Sequence, residues 1–128
     1  MKINRFEDLE VWQPARESCK DVRNLTVKEV FSKDFRLKDQ IRASSGSIMD
    51  NIAEGFERDG RKEFIQHLSI SKGSCGETRS QSYRAFDYDY ITEEELKHMV
   101  ETTESLGIRI GGFMNYLKKS EYKGNKFK

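Results

Sequence analysis

Apolar residues in this chain recur at intervals of three and four, the spacing that returns a side chain to one face of an α-helix. The pattern divides into four segments. In the first, predicted over 6–25, Leu9, Trp12, Cys19 and Val22 share a face. Pro14 lies inside it. A helix starting near Phe6 would lose one backbone hydrogen bond at Pro14 and bend; one starting near Gln13 would hold Pro14 in its first turn, where the missing N–H is not needed. The stripe already includes Leu9 and Trp12, which favours the kinked form. The second segment, 34–54, carries Leu37, Ile41, Ser44, Ile48 and Ile52, flanked by the small residues Ala43, Ser45, Gly46 and Ser47. Side chains this small let a neighbouring helix come close. Gly55 is expected to end the segment, because glycine readily takes the left-handed conformation after a helix C-terminus.

The third segment, 61–89, has Asp59 as its expected N-cap and a long stripe of Phe64, Leu68, Ser71, Cys75, Thr78, Ser82 and Phe86. Its middle is rich in hydroxyls. Gly73 and Gly76 weaken helix propensity there and suggest close contact with another helix. The fourth segment, 92–119, has the clearest start. Thr92 and Glu95 form a T-x-x-E capping box, and Ile91 and Leu96 are placed as its hydrophobic staple. Glu93, Glu94 and Glu95 suit the positive end of the helix dipole, and Lys118 and Lys119 the negative end. Between them Leu96, Met99, Thr103, Leu106, Ile110, Phe113 and Leu117 alternate by three and four, the period of coiled-coil-like packing. Gly107 and Gly111 add a second close-contact strip.

Short connections between amphipathic helices favour antiparallel neighbours. The expected fold is all-α, an up-down antiparallel four-helix bundle over 1–120, followed by a basic tail at 121–128. Residues 118–128 hold five lysines against one glutamate. Composition agrees: 35% of the 128 residues are hydrophobic and 35% are charged, above the ~25% of an average domain, as expected where charge coats the outer faces of helices. Proline occurs once.

Charge and composition also bound the function. The net charge of +1 argues against a generally basic nucleic-acid binder, though a balanced total can contain a local basic patch. No apolar run approaches the ~18 residues of a membrane span, and Met1–Arg5 lacks the apolar stretch of a signal peptide. Cys19 and Cys75 both fall on apolar stripes, the pattern of two reduced, buried thiols in a cytoplasmic protein.

Helical bundles can hold di-iron sites through paired Glu-x-x-His motifs. Glu95-x-x-His98 matches once, but Glu95 is committed to the capping box, and Phe64 stands where His67 would need a glutamate. Glu63 and His67 share a face and would supply only two ligands. No metal, cofactor or catalytic site is therefore expected, and no enzyme activity. The residues Arg42, Asn51, Glu54, Arg58, Arg61 and Lys62, together with Glu63, gather around the second interhelical turn. They serve either capping, ion pairing and solvation, or contact with another subunit, RNA or DNA. In the second case Arg and Lys would neutralise phosphates and make binding strongly salt-dependent.

A resemblance adds to this reading. The opening Phe6-Glu7-Asp8-Leu9-Glu10-Val11-Trp12-Gln13, then Gln40-Ile41-Arg42-Ala43, Ser47-Ile48, Asn51-Ile52-Ala53-Glu54-Gly55, Lys62-Glu63-Phe64, Leu68-Ser69-Ile70, Lys72-Gly73-Ser74 and Glu77 resemble the bacterial 23S ribosomal RNA intervening-sequence proteins, also called S23 proteins. The resemblance spans nearly the whole chain. It implies a four-helix bundle that assembles into a ring-like homopentamer, with no known enzyme activity. Similar bundles are accessory proteins of diversity-generating retroelements, where they work beside a reverse transcriptase and contact nucleic acid; those relatives are more basic than this chain. Two positions depart from the family pattern. Met49 stands where a proline is usual, and Pro14 where a basic residue is common. Both bear on helix bending.

Overall fold

A computed structural model describes residues 3–120. All regular structure among them is helical: a 3-10 turn at Phe6–Asp8 and five α-helices, α1 (Trp12–Thr26), α2 (Glu29–Ser32), α3 (Phe35–Glu57), α4 (Arg61–Asp87) and α5 (Glu93–Lys119). The basic tail at 121–128 lies outside the described residues.

The chain enters α1 differently from the kinked helix expected from Phe6. Leu9 is extended (ψ 135°), and α1 starts only at Trp12, so Pro14 occupies its first turn, where the backbone N–H has no intrahelical acceptor. Leu9 and Val11 are nevertheless buried, and the Phe6 ring meets Trp12 edge-on with centroids 5.1 Å apart. Of the apolar stripe, Leu9 and Val22 are buried and Trp12 and Cys19 half-buried, so the stripe marked the inward face but not the conformation of its first residues. The connection after α1 holds the short helix α2, which buries Phe31 completely and stacks it on Tyr90.

The helix ends follow local chemistry. Asp34 caps α3 by accepting from the Leu37 N–H (3.0 Å) and also accepts from the Tyr90 hydroxyl (2.9 Å). Gly55 does not stop α3. It is buried inside the helix, which continues to Glu57, because α4 packs so closely against it that only glycine fits. The N-cap of α4 is Gly60 rather than Asp59, without a side-chain cap bond. At the other end of α4, Asp89 is left-handed (φ 64°), the Asp89 N–H bonds the Phe86 carbonyl, and the Tyr90 N–H bonds the Ala85 carbonyl (2.8 Å). This is a Schellman arrangement with aspartate in the place usually held by glycine. The capping box of α5 is complete: the Thr92 N–H donates to Glu95 Oε1 (2.8 Å), and the Glu95 N–H donates to Thr92 Oγ1 (3.1 Å). Glu95 also pairs with Lys28 (2.6 Å), which fixes the α1–α2 connection to the start of α5.

Contacts across α3 and α4 run in opposite chain directions, from Ser44 on Thr78 to Asn51 on His67, so the pair is antiparallel. The same holds for α4 and α5, where the Gly107 backbone faces Cys75, Gly111 faces Lys72, and Phe113 meets Phe64. Helix α1 lies against both α3 and α5, with Arg42 on Thr26 and His98 on Asp21. The apolar core forms two clusters. One contains Leu9, Ile52, Phe56, Phe64, Leu106, Ile110 and Leu117; the other contains Val22, Phe31, Leu37, Ile41, Ile91 and Met99. Between them lies a buried layer of Ser18, Ser44, Ser45, Thr78, Ser82 and Thr103. Ser44 Oγ donates to Gln81 Oε1 (2.6 Å) and sits 2.8 Å from Thr78 Oγ1, while Ser82 and Thr103 donate to carbonyls one turn back. The glycine strips split. Gly107 is a buried packing position, whereas Gly73 faces open space.

Candidate functional site

The hairpin of α3 and α4 turns at Arg58–Gly60, so residues equally distant from that turn face one another. Asn51 and His67 form such a pair, with Asn51 Oδ1 3.0 Å from His67 Nδ1. The Asn51 amide nitrogen is engaged elsewhere, donating to the Ser47 hydroxyl (2.9 Å) and carbonyl (3.0 Å). Its oxygen therefore accepts, and Nδ1 of His67 carries the hydrogen. That leaves Nε2 facing Glu54, 3.9 Å from Oε2. Arg58 donates to the same Glu54 oxygen (2.8 Å). This hydrogen bond, followed by the charge of His67, holds the Glu54 carboxyl below the usual glutamate range. At the inner end, Ser74 Oγ donates to Ser47 Oγ (2.9 Å). A polar spine thus runs Ser74–Ser47–Asn51–His67 by hydrogen bonds and, across the 3.9 Å approach of His67 to Glu54, on to Arg58, from a buried serine to an exposed arginine.

Of the residues singled out in the sequence, Asn51, Glu54 and Arg58 come together, and His67 joins them. The others lie apart. Arg42 donates through Nε to Thr26 Oγ1 (2.8 Å), which ties α3 to the end of α1. Arg61 donates to the Ser120 carbonyl and so fastens the start of α4 to the end of α5. Lys62 is exposed and lines a groove of about 410 Å³ with Arg61, Ile65, Gln66 and Lys118. The expected single cluster is therefore a spine, an isolated interhelical tie and a basic groove. Sequence neighbours around a turn diverge because successive helical residues point about 100° apart.

The spine cross-links two helices through the Asn51–His67 and Ser47–Ser74 bonds. Its serine hydroxyls bond to each other and to the Asn51 amide. The suggested Glu63–His67 ligand pair does not form, since the Glu63 carboxylate lies against Gly60 while His67 turns towards Asn51 and Glu54. Among the described residues no group of three or more His, Cys, Asp or Glu is placed to hold a metal ion. Glu95 and His98 are likewise separated, His98 pairing with Asp21 (2.8 Å). Cys75 is buried, and burial pushes its thiol up to about 11; Cys19 is half-buried instead of fully enclosed.

A feature missed in the sequence is a cleft of about 510 Å³ between the extended entry segment and the end of α5. Ile3, Leu9, Val11, Phe113 and Tyr116 line it, with Asp8, Glu10 and Arg109 at its charged edge. Reading residues 6–11 as helix concealed it. No helix among the described residues is long and apolar enough to cross a membrane.

A family model described as 23S rRNA-intervening sequence protein matches residues 7–112. Among solved structures, a protein of unknown function from the S23 ribosomal protein family of Bacteroides thetaiotaomicron VPI-5482 is similar with a TM-score of 0.75 and 24% identity, covering 81% of this chain and 97% of that one. At this identity the likeness shows the fold. No curated protein matches the chain. The family match runs from the 3-10 turn through most of α5, across both core clusters and the whole polar spine, and the chain belongs to the 23S rRNA-intervening sequence protein family.

Proposed function

We propose that the four long helices form an up-down antiparallel four-helix bundle that acts as a non-enzymatic, homo-oligomeric interaction scaffold in the cytoplasm, with a ring of five copies as the favoured assembly. The supporting observation is the apolar surface. Val27, Val30 and Phe35 are exposed within nine residues of chain, Phe35 by 68%, although 35% of the chain is charged and polar residues abound. Scattered single exposures are ordinary, whereas clustered ones mark contact sites. Five-fold closure is what the family resemblance implies. Light scattering at micromolar concentration tests the reading: a mass five times the 15.0 kDa subunit supports it, and the mass of one subunit overturns it.

The basic groove favours a second reading, an RNA- or DNA-binding accessory role with rRNA or beside a reverse transcriptase. Arg61, Lys62 and Lys118 line it with no carboxylate among the described residues of its walls. Titration with ribosomal RNA fragments at low and moderate salt discriminates: phosphate contacts give steeply salt-dependent binding, and absence of binding at low salt ends this reading.

A further inference from the structure

We propose that the chain's own C-terminal segment, residues 121–128, turns back along α5 and seats Phe127 in the cleft between the entry segment and Tyr116. The segment then straps the end of α5 to residues 3–11, whatever the number of copies that assemble.

The starting point of the segment is fixed. Arg61 donates to the Ser120 carbonyl, so residue 121 leaves from the junction of α4 and α5. From there the cleft runs back past Tyr116, Phe113 and Arg109, which form one stripe of α5. At the helical rise, Tyr116 lies about 6 Å from Ser120 along the axis and Arg109 about 16 Å. An extended chain covers at most about 3.5 Å per residue, so Phe127 reaches about 24 Å from Ser120. That is enough to round the helix and enter the cleft anywhere along it. Between Tyr122 and Phe127, Gly124-Asn125 are residue types suited to reversing a chain. A short tether also holds the segment at roughly millimolar effective concentration, so even a weak contact is populated.

The cleft, at about 510 Å³, takes a phenyl ring. Leu9 and Val11 are its buried floor, while Ile3 is half-buried and Tyr116 is 54% exposed at its rim. Phe113 is engaged with Phe64 and Tyr116 and serves as a wall. Charge then chooses between the two grooves that flank the last turns of α5. The groove on the α4 side presents three cations, Arg61, Lys62 and Lys118. On the entry side, Glu7, Asp8 and Glu10 face Arg5 and Arg109, a net single negative charge among the described residues. Residues 121–128 hold three lysines against Glu121. The segment is therefore repelled by the first groove and attracted to the second. Arg109 belongs to the α5 wall and the carboxylates to the entry wall, so Lys126 and Lys128, on either side of Phe127, meet the carboxylates by turning towards the entry segment.

Carbodiimide coupling tests this on the full chain, with proteins grown in light and in heavy nitrogen refolded together from a mixture. The reagent joins a lysine amine to a carboxylate only where the two touch. Peptide mapping should find Lys126 or Lys128 joined to Asp8 or Glu10, light to light and heavy to heavy. In Phe127→Ser these cross-links should fall by about tenfold, the factor that burying most of one phenylalanine side chain supplies. Hydrogen exchange should change with them. The Leu9 and Trp12 amides, which bond the Phe6 and Leu9 carbonyls, should exchange about tenfold faster in Phe127→Ser. The Leu96 amide, bonded to the Thr92 carbonyl at the far end of α5, should keep its rate. Cross-links that join light to heavy chains as often as like to like would place the segment on a neighbouring copy and overturn the proposal. So would the absence of these cross-links, or a Phe127→Ser variant in which either the cross-links or the Leu9 and Trp12 exchange rates are unchanged.

Discussion

Gly55→Ala should destabilise the protein although it replaces glycine inside a helix with the best helix former. A Cβ built at Gly55 would stand 2.6 Å from the Cβ of His67 and 2.9 Å from Cδ1 of Phe64. The His67 Cβ is fixed to its backbone, so no rotamer change relieves the contact and α4 itself must move. That movement strains the Asn51–His67 bond and the edge-on contacts of Phe64 with Phe56 and Phe113. Overpacking of this kind costs about 1–3 kcal/mol, and the gain in helix propensity returns about 1. With backbone-anchored atoms on the far side, the upper part of that range applies, and the net loss should be about 1–2 kcal/mol. For a chain of this length it lowers Tm by about 4–8 °C. Gly46 and Gly73 provide the control, since a Cβ at either meets nothing within 4 Å. Alanine at those positions should instead stabilise by about 0.5–1 kcal/mol. Urea unfolding followed by circular dichroism, at one fixed protein concentration, measures all three. If Gly55→Ala is stabilised like the other two, the close approach of α3 and α4 is refuted.

Ser18 Oγ is buried without a partner, so Ser18→Ala should leave stability unchanged or raise it by up to about 1 kcal/mol, read from the urea midpoint. Asp89→Gly should raise the urea midpoint through a gain of about 1 kcal/mol, because glycine holds the left-handed conformation without strain. A thiol reagent should modify Cys19 first and reach Cys75 only on unfolding, since burial raises the Cys75 thiol to about 11; mass mapping of the labelled chain checks the order. Stability should fall in acid. Asp34 is held low by the Leu37 N–H and the Tyr90 hydroxyl, Glu54 by Arg58, and in Glu95 partial burial is outweighed by bonds from Lys28 and Thr92. Carboxyls depressed by folding contribute fully above their unfolded values near 4 and lose that contribution as pH falls through the folded values. Unfolding midpoints between pH 7 and pH 3 should therefore decline, less steeply in Tyr90→Phe.

What was legible in the sequence was what depends on nearest neighbours along one helix. Thr92 and Glu95 sit within one turn, and their reciprocal bonds follow from the motif alone. The stripes of the second and fourth segments mark residues that are buried almost without exception. Errors arose where a partner from another element decided the outcome. Gly55 carries the usual signature of a helix stop, yet α4 lies against it and the helix continues. Asp59 has good capping chemistry, but the chain begins α4 one residue later at Gly60. His67 looked like half of a ligand pair with Glu63, since i, i+4 proximity can be read from spacing. Its actual partners are on α3, and reading them requires the hairpin register. Counting outward from the turn would have paired Asn51 with His67, so that signal was present but needed the turn position first.

The hydroxyl-rich stripes explain how a chain with so few apolar residues specifies one arrangement. A core of leucine alone can slide by a turn at little cost, because every register buries similar area. Here the register of α3 against α4 is tied to discrete bonds. Ser71 Oγ reaches the Ile48 carbonyl at 2.7 Å, which requires the two backbones to be close at that level. That closeness depends in turn on Gly55, one to two turns away, where any side chain would hold the helices apart. Ser44 then meets Thr78 and Gln81 on the far side of the same seam. A one-turn slip would break these interhelical bonds, leaving Ser44 only its own-helix bond to the Ile41 carbonyl (3.2 Å), and each buried polar group left unpaired costs about 1–3 kcal/mol. The small polar residues thus act together: glycine permits the approach, and the serines and threonines penalise every register but one. This fixes the ends of the helices relative to each other, and so determines where Phe35 and the cleft beside Leu9 are presented.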